Sequence, residues 1–156
     1  MSKEIINLGL ILHNVDNFSM STFNGRLTLQ KTIYLLQAFG VYIGYDFSWY
    51  LRGPYSPRLA RDGFELQDVY RNFPTKTGKF PEKNIQQRFV KFLHFMKNRK
   101  NNPDKLEILA SLHFLKNVHP KMKKENILSI VEQKQSYFTR SMCEKGWTEL
   151  KKIGLI

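Results

Sequence analysis

Residues 50–57, YLRGPYSP, constrain the fold more than any other stretch of this chain. Pro54 and Pro57 each fix a backbone φ angle, whereas Gly53 is free to adopt conformations that other residues avoid. We therefore expect a rigid turn with one preferred shape. Ser56 is suited to cap a helix that begins at Pro57, because a proline at the first helical position loses no hydrogen bond.

Apolar residues recur at helical spacing on both sides of this turn. The pattern predicts six or seven helices, with candidate ranges at residues 3–13, 27–40, 58–70, 84–100, 105–117, 125–134 and 139–152. Residues 14–24 are polar and typical of a connection, from which we expect Phe18 and Phe23 to pack back onto the core.

A short strand is predicted over residues 45–51, YDFSWYL, because the stretch is aromatic and lies between Gly44 and Gly53. A single strand needs a partner, and residues 74–80 are the best candidate by composition. The sequence thus predicts a mainly α (α+β) fold: a single helical domain with a small two-stranded β element around the Gly-Pro turn.

Length and composition indicate one soluble domain that spans residues 1–156. The chain is 42% hydrophobic and contains twelve phenylalanines, enough to form a core. Its single cysteine excludes an internal disulfide and is typical of a reducing compartment. We find neither a signal peptide nor an apolar run of the ~20 residues that a membrane helix needs. We therefore expect a cytoplasmic protein that does not enter membranes.

The net charge of +12 is distributed unevenly. Residues 1–70 are neutral, residues 71–105 carry +8 and residues 106–156 carry +4. Such a field attracts nucleic acid, anionic membranes or an acidic protein, and it also arises from a merely solvated face. If segment 71–105 binds nucleic acid, the candidate contacts are Lys76, Lys79, Lys83, Arg88, Lys91, Lys97, Arg99 and Lys100.

A second possible DNA-binding pattern lies in residues 125–156. Two predicted helices joined by a short turn resemble the end of many winged-helix domains, in which the second helix enters the major groove. The candidate contacts there are Arg140, Lys145, Lys151 and Lys152. Helix pairs of this kind are also common in α-rich proteins without any such role.

Residues that could support catalysis are present but are not clustered in sequence. The four histidines lie on different predicted elements, and no metal-binding or phosphate-binding motif occurs. Cys143 lies on the apolar stripe of its helix, where a thiol acts as a small hydrophobic group. We therefore predict a protein that is not an enzyme and has no metal and no cofactor.

Two motifs resemble the Panacea domain, the group of SocA-like and GepA-like proteins. Residues 29–36, LQKTIYLL, resemble its opening helix, and residues 49–57, WYLRGPYSP, are similar to its aromatic strand followed by Gly-Pro-Val-x-Pro. Together they define a Panacea-like unit over residues 26–66. The tyrosine at position 55 stands where the family usually has a small apolar residue.

This resemblance implies a helical module that binds a partner protein, either as an antitoxin that neutralises a toxin or as an adaptor that presents one for degradation. The positions that carry over are Tyr34, Trp49, Arg52, Pro54 and Tyr55. Three of them also have purely structural interpretations, as core aromatics or turn geometry. Arg52 is different, because a cation between aromatics needs either a partner or an internal carboxylate. A DNA-binding protein of winged-helix type remains the alternative.

Overall fold

Seven α-helices and one β-hairpin make up the part of the chain that the structure describes. A computed structural model describes residues 1–73 and 79–156. Within them lie α1 (Lys3–Val15), α2 (Phe23–Ala38), β1 (Ser48–Tyr50), β2 (Gly53–Tyr55), α3 (Pro57–Val69), α4 (Lys83–Met96), α5 (Pro103–Val118), α6 (Lys124–Glu132) and α7 (Arg140–Ile153). One 3₁₀ turn, Tyr70–Asn72, follows α3. The predicted mainly α domain with a small two-stranded element is confirmed.

Side-chain caps explain where several helices begin. Ser56 Oγ accepts the backbone N–H of Leu59, and Pro57 occupies the first position of α3, as the sequence predicts. Thr139 caps α7 in the same way. At its other end α7 stops at Gly154, which adopts a left-handed φ of 85°. Glycine accepts this conformation at little cost.

Helices α2 and α5 form the centre of the molecule. Residues 27–36 of α2 are all buried, and α5 packs against α2, α6, α7 and β2. A helix that is buried on nearly every side must be surrounded by other elements, and here the amphipathic helices α4 and α7 supply part of that cover. No helix in the described ranges is long and apolar enough to cross a lipid bilayer.

The hairpin differs from the strand pairing that the sequence favours. β1 pairs antiparallel with β2, in the register Ser48↔Tyr55, Trp49↔Pro54 and Tyr50↔Gly53. The second strand comes from the Gly-Pro stretch itself, which turns back on β1. Residues 74–80 were the expected partner, and most of them, residues 74–78, lie outside the described residues.

Candidate functional site

The hairpin rests on α2 through two consecutive polar side chains. Gln30 Nε2 donates to the carbonyl oxygen of Ser56 at 2.9 Å, and its Oε1 accepts the Ser56 N–H at 2.8 Å. Lys31 Nζ donates to the carbonyl oxygen of Pro54 at 2.6 Å. The two motifs that resemble the Panacea domain therefore contact each other, and the glutamine and lysine of the first hold the turn of the second.

Lys31 is a buried cation at the centre of this contact, with 1% of its surface exposed. Burial lowers the pKa of its amine to about 7, although the nearby Glu107 carboxylate acts in the opposite direction. Arg52 and Lys134 also lower it, because both are positively charged. The amine remains a hydrogen-bond donor to Pro54 in either protonation state.

Arg52 meets an internal carboxylate. Its Nε donates to Glu107 Oε1 at 2.7 Å, and the Glu107 side chain has no exposed surface. Gln135 Nε2 donates to the other carboxylate oxygen at 3.3 Å. The Arg52 side chain stays 25% exposed, so Arg52 anchors the hairpin to α5 while part of it remains accessible to solvent.

The turn approaches α5 so closely that only glycine fits at position 53. Gly53 has a left-handed φ of 95°, and a Cβ there would overlap the hydroxyl oxygen of Ser111. That hydroxyl is buried and forms no hydrogen bond with any described residue. Gly53 is thus required both by its backbone conformation and by its distance from the helix.

A second lysine holds the outer strand. Lys134 Nζ donates to the carbonyl oxygen of Tyr50 at 2.9 Å and lies 4.6 Å from the centre of the Trp49 ring. Trp49 in turn stacks on Phe114 of α5, with the ring centroids 5.7 Å apart. The hairpin is therefore fixed to α2, α5 and the segment after α6.

A groove of about 260 Å³ lies between this fixed hairpin and the start of α2. Three large apolar side chains at this groove are strongly exposed: Phe23 at 54%, Tyr50 at 57% and Leu51 at 71%. The expectation that Phe23 packs onto the core was wrong. Phe23 is the first residue of α2, and its side chain lines the exposed groove instead of the core. We call this surface, which Leu27 and Tyr55 complete, the hairpin groove.

The ionisable side chains of the hairpin groove other than tyrosine are all basic. Arg26, Lys31 and Arg52 line it, and none of its described lining residues is acidic. Arg26 is held in place by a hydrogen bond from its Nη1 to the carbonyl oxygen of Met20. The groove thus combines apolar walls with a positive rim.

The five residues named from the resemblance separate into two groups. Arg52 and Tyr55 line the hairpin groove. Tyr34, Trp49 and Pro54 do not line it, and Tyr34 is buried with its hydroxyl 2.7 Å from Nδ1 of His113.

The sequence did not identify Phe23, Tyr50 and Leu51 as surface residues. The signal for the last two was present, because large apolar side chains at a predicted rigid turn have little chance of reaching the core.

The residues considered for nucleic-acid binding differ in whether they already bind a partner within the protein. Three arginines bind within the protein: Arg88 to the carbonyl oxygen of Gly40, Arg99 to Glu149, and Arg140 to Ser129, Glu125 and Glu132. The candidate lysines that form no ion pair with any described residue are Lys79, Lys83, Lys91, Lys97, Lys100, Lys145, Lys151 and Lys152. Lys76 lies outside the described residues.

Two of the side chains considered for catalysis, Cys143 and His113, have pKa values that burial shifts away from neutral pH. Burial raises the pKa of the Cys143 thiol to about 11, which keeps it protonated, and burial lowers the pKa of His113 to about 4, which keeps that ring neutral against Tyr34. Across residues 1–73 and 79–156, no three His, Cys, Asp or Glu side chains are grouped so that they could hold a metal ion.

Comparison of the chain with models of protein families, with curated proteins and with solved structures finds no match.

Proposed function

We propose that this chain is a non-enzymatic protein-binding module of the type that Panacea antitoxins and proteolytic adaptors represent, and that the hairpin groove holds the partner. The observation that carries the proposal is the exposure of Phe23, Tyr50 and Leu51 around one groove. Apolar side chains grouped in this way are typical of interaction surfaces, whereas isolated ones are not.

The rigidity of the hairpin supports this function. The contacts of Lys31, Arg52 and Lys134 hold the hairpin before any partner arrives. A surface that is ordered in advance loses less conformational entropy on binding. The polar groups beneath the groove would then serve to present it, and the aromatic and aliphatic side chains would provide the contact.

The positive rim defines the chemistry of the partner. An apolar side chain of the partner would fill the groove, and a neighbouring carboxylate would face Arg26 and Arg52. We therefore expect the bound segment to contain an aromatic or aliphatic residue beside a carboxylate. That carboxylate would belong either to a neighbouring Asp or Glu or to the C-terminus of the segment.

A library of short random peptides displayed on phage and selected against the full chain tests this proposal. We expect the enriched peptides to share an apolar residue beside a carboxylate. A variant with Phe23→Ser, Tyr50→Ser and Leu51→Ser should bind them at least about tenfold more weakly, the loss expected when interface anchors are removed.

The matched control replaces Tyr42, Phe64 and Val90 by serine, since these apolar residues are 68%, 49% and 54% exposed and do not line the hairpin groove. This control should bind the peptides like the wild type. Selection without a shared pattern, or equal binding by both variants, would contradict the proposal.

A further inference from the structure

A separate, larger groove lies between the end of α4 and the last turns of α7. It consists of three adjoining depressions of about 650, 320 and 520 Å³. The first shares His94 and Lys97 with the second and shares Lys152 with the third. The three therefore form one continuous surface, which we call the α4–α7 groove.

Four lysines along this groove form no ion pair with any described residue: Lys97, Lys100, Lys151 and Lys152. They come from stretches of sequence about 50 residues apart, and the ion pair between Arg99, just after α4, and Glu149 of α7 joins the two stretches at one surface. Apart from Lys100, which is half-buried, these lysines are exposed.

The acidic residues nearby are already neutralised. Glu149 lies between Arg99, at 2.6 Å, and Lys105. Burial alone would favour its neutral form, but the hydrogen bonds from Lys105 and Arg99 prevail and lower its pKa, so it stays an anion bound to its partners. Glu144 is paired with Lys124 at 3.1 Å. The groove therefore has a net positive field.

We infer that the α4–α7 groove binds the phosphodiester backbone of a nucleic acid. Four lysines without an ion pair to any described residue, spread over three adjoining open depressions, match a ligand with repeated negative charge. Lysine provides point charges for phosphates, whereas base recognition relies on side chains such as arginine that bind two atoms at once. Arg99 is occupied by Glu149, so we expect binding that depends little on sequence.

Fluorescence anisotropy with labelled duplex DNA, single-stranded DNA and duplex RNA of mixed sequence tests this inference over a salt series. We expect the wild type to bind at about 50 mM salt, with an affinity that falls steeply as salt rises. The nucleic acid that binds most tightly identifies the natural class of backbone.

Two variants with the same change in net charge locate the binding surface. K97Q/K100Q/K151Q/K152Q should lose at least about tenfold in affinity, and its plot of log affinity against log salt should be less steep by about 3 to 4, because four phosphate contacts disappear. The control K3Q/R61Q/K121Q/K123Q changes four exposed basic residues that neither line the groove nor were candidate nucleic-acid contacts, and it should bind like the wild type.

Three results would overturn the inference. The wild type could fail to bind any of the three nucleic acids at about 50 mM salt, or both quadruple variants could lose affinity equally, which would leave only a general charge effect. Polyglutamate could also displace the nucleic acid as effectively as unlabelled nucleic acid does, and the groove would then be a surface for an acidic protein.

Discussion

At the scale of single residues, the hairpin depends on a carboxylate without any exposed surface. Glu107 has its hydrogen-bond donors on the hairpin and in the segment after α6, namely Arg52 and Gln135. Removing one partner of such a buried pair leaves the others uncompensated, and this costs far more than the intact pair contributes.

We expect Glu107→Gln to lower the free energy of unfolding by ~3–5 kcal/mol, because it leaves Arg52 beside a neutral amide and removes the anion near Lys31. Urea denaturation followed by circular dichroism measures this. Glu125→Gln is the matched control: its side chain is 71% exposed in a pair with Arg140, so its loss should be at most about 1 kcal/mol. Similar losses for the two variants would show that Glu107 has no special role.

The buried amine of Lys31 predicts a pH dependence. Its pKa falls from 10.5 to about 7 on folding. Between these values the unfolded chain holds a proton that the folded chain lacks, so the contribution of Lys31 to stability rises with pH. Below pH 7 both states are protonated, and the cost of burying the charge is fully present.

Comparison with Lys31→Met isolates this contribution, because the other titrating groups are common to both proteins. From about pH 7 to pH 9, the stability of the wild type relative to the variant should rise by up to about 1.4 kcal/mol per pH unit. Urea denaturation over this range measures the difference. A constant difference would mean that Lys31 keeps its proton in the folded state.

At the scale of elements, the hairpin is held by its underside and exposes its tip. Its close approach to α5 requires Gly53, since a Cβ there would overlap Ser111 Oγ and the φ is left-handed. Elements that approach this closely transmit any shift in position, because packed interiors leave little free space.

We expect Gly53→Ala to destabilise the protein by ~2–4 kcal/mol, as a sum of backbone strain and steric overlap. Gly154→Ala provides the control, since Gly154 has a similar φ of 85° but no atom within 4 Å of an added Cβ. This variant should lose only about 1 kcal/mol of stability, from backbone strain alone. Adding Ser111→Ala to Gly53→Ala should recover part of the loss in thermal denaturation. Without such recovery, the overlap with Ser111 would not be the cause.

At the scale of the whole molecule, the two proposed surfaces lie on different elements. The hairpin groove is built from α2 and the hairpin, and the α4–α7 groove from the ends of α4 and α7. Changes at well-separated sites usually act independently. The lysine variant should therefore keep its affinity for the selected peptides, and the apolar variant should keep its affinity for nucleic acid.

The helices could be predicted because their signals are local. Each predicted range overlaps an observed helix, and the Ser56 cap and the start of α3 at Pro57 need only residues within one turn of each other. The site was less predictable. Nothing near Glu107 in the sequence identifies Arg52 as its partner, since 55 residues separate them.

The sequence by itself predicted six or seven helices, the position of a rigid turn and an excess of positive charge, because periodicity, capping and composition act over short distances. Only the tertiary structure decided that β2 pairs with β1, that Phe23 is exposed, and that Lys97 and Lys152 share a groove. These outcomes depend on how α2, α5 and α7 pack. Packing joins residues that are far apart in the chain, and no local pattern encodes it.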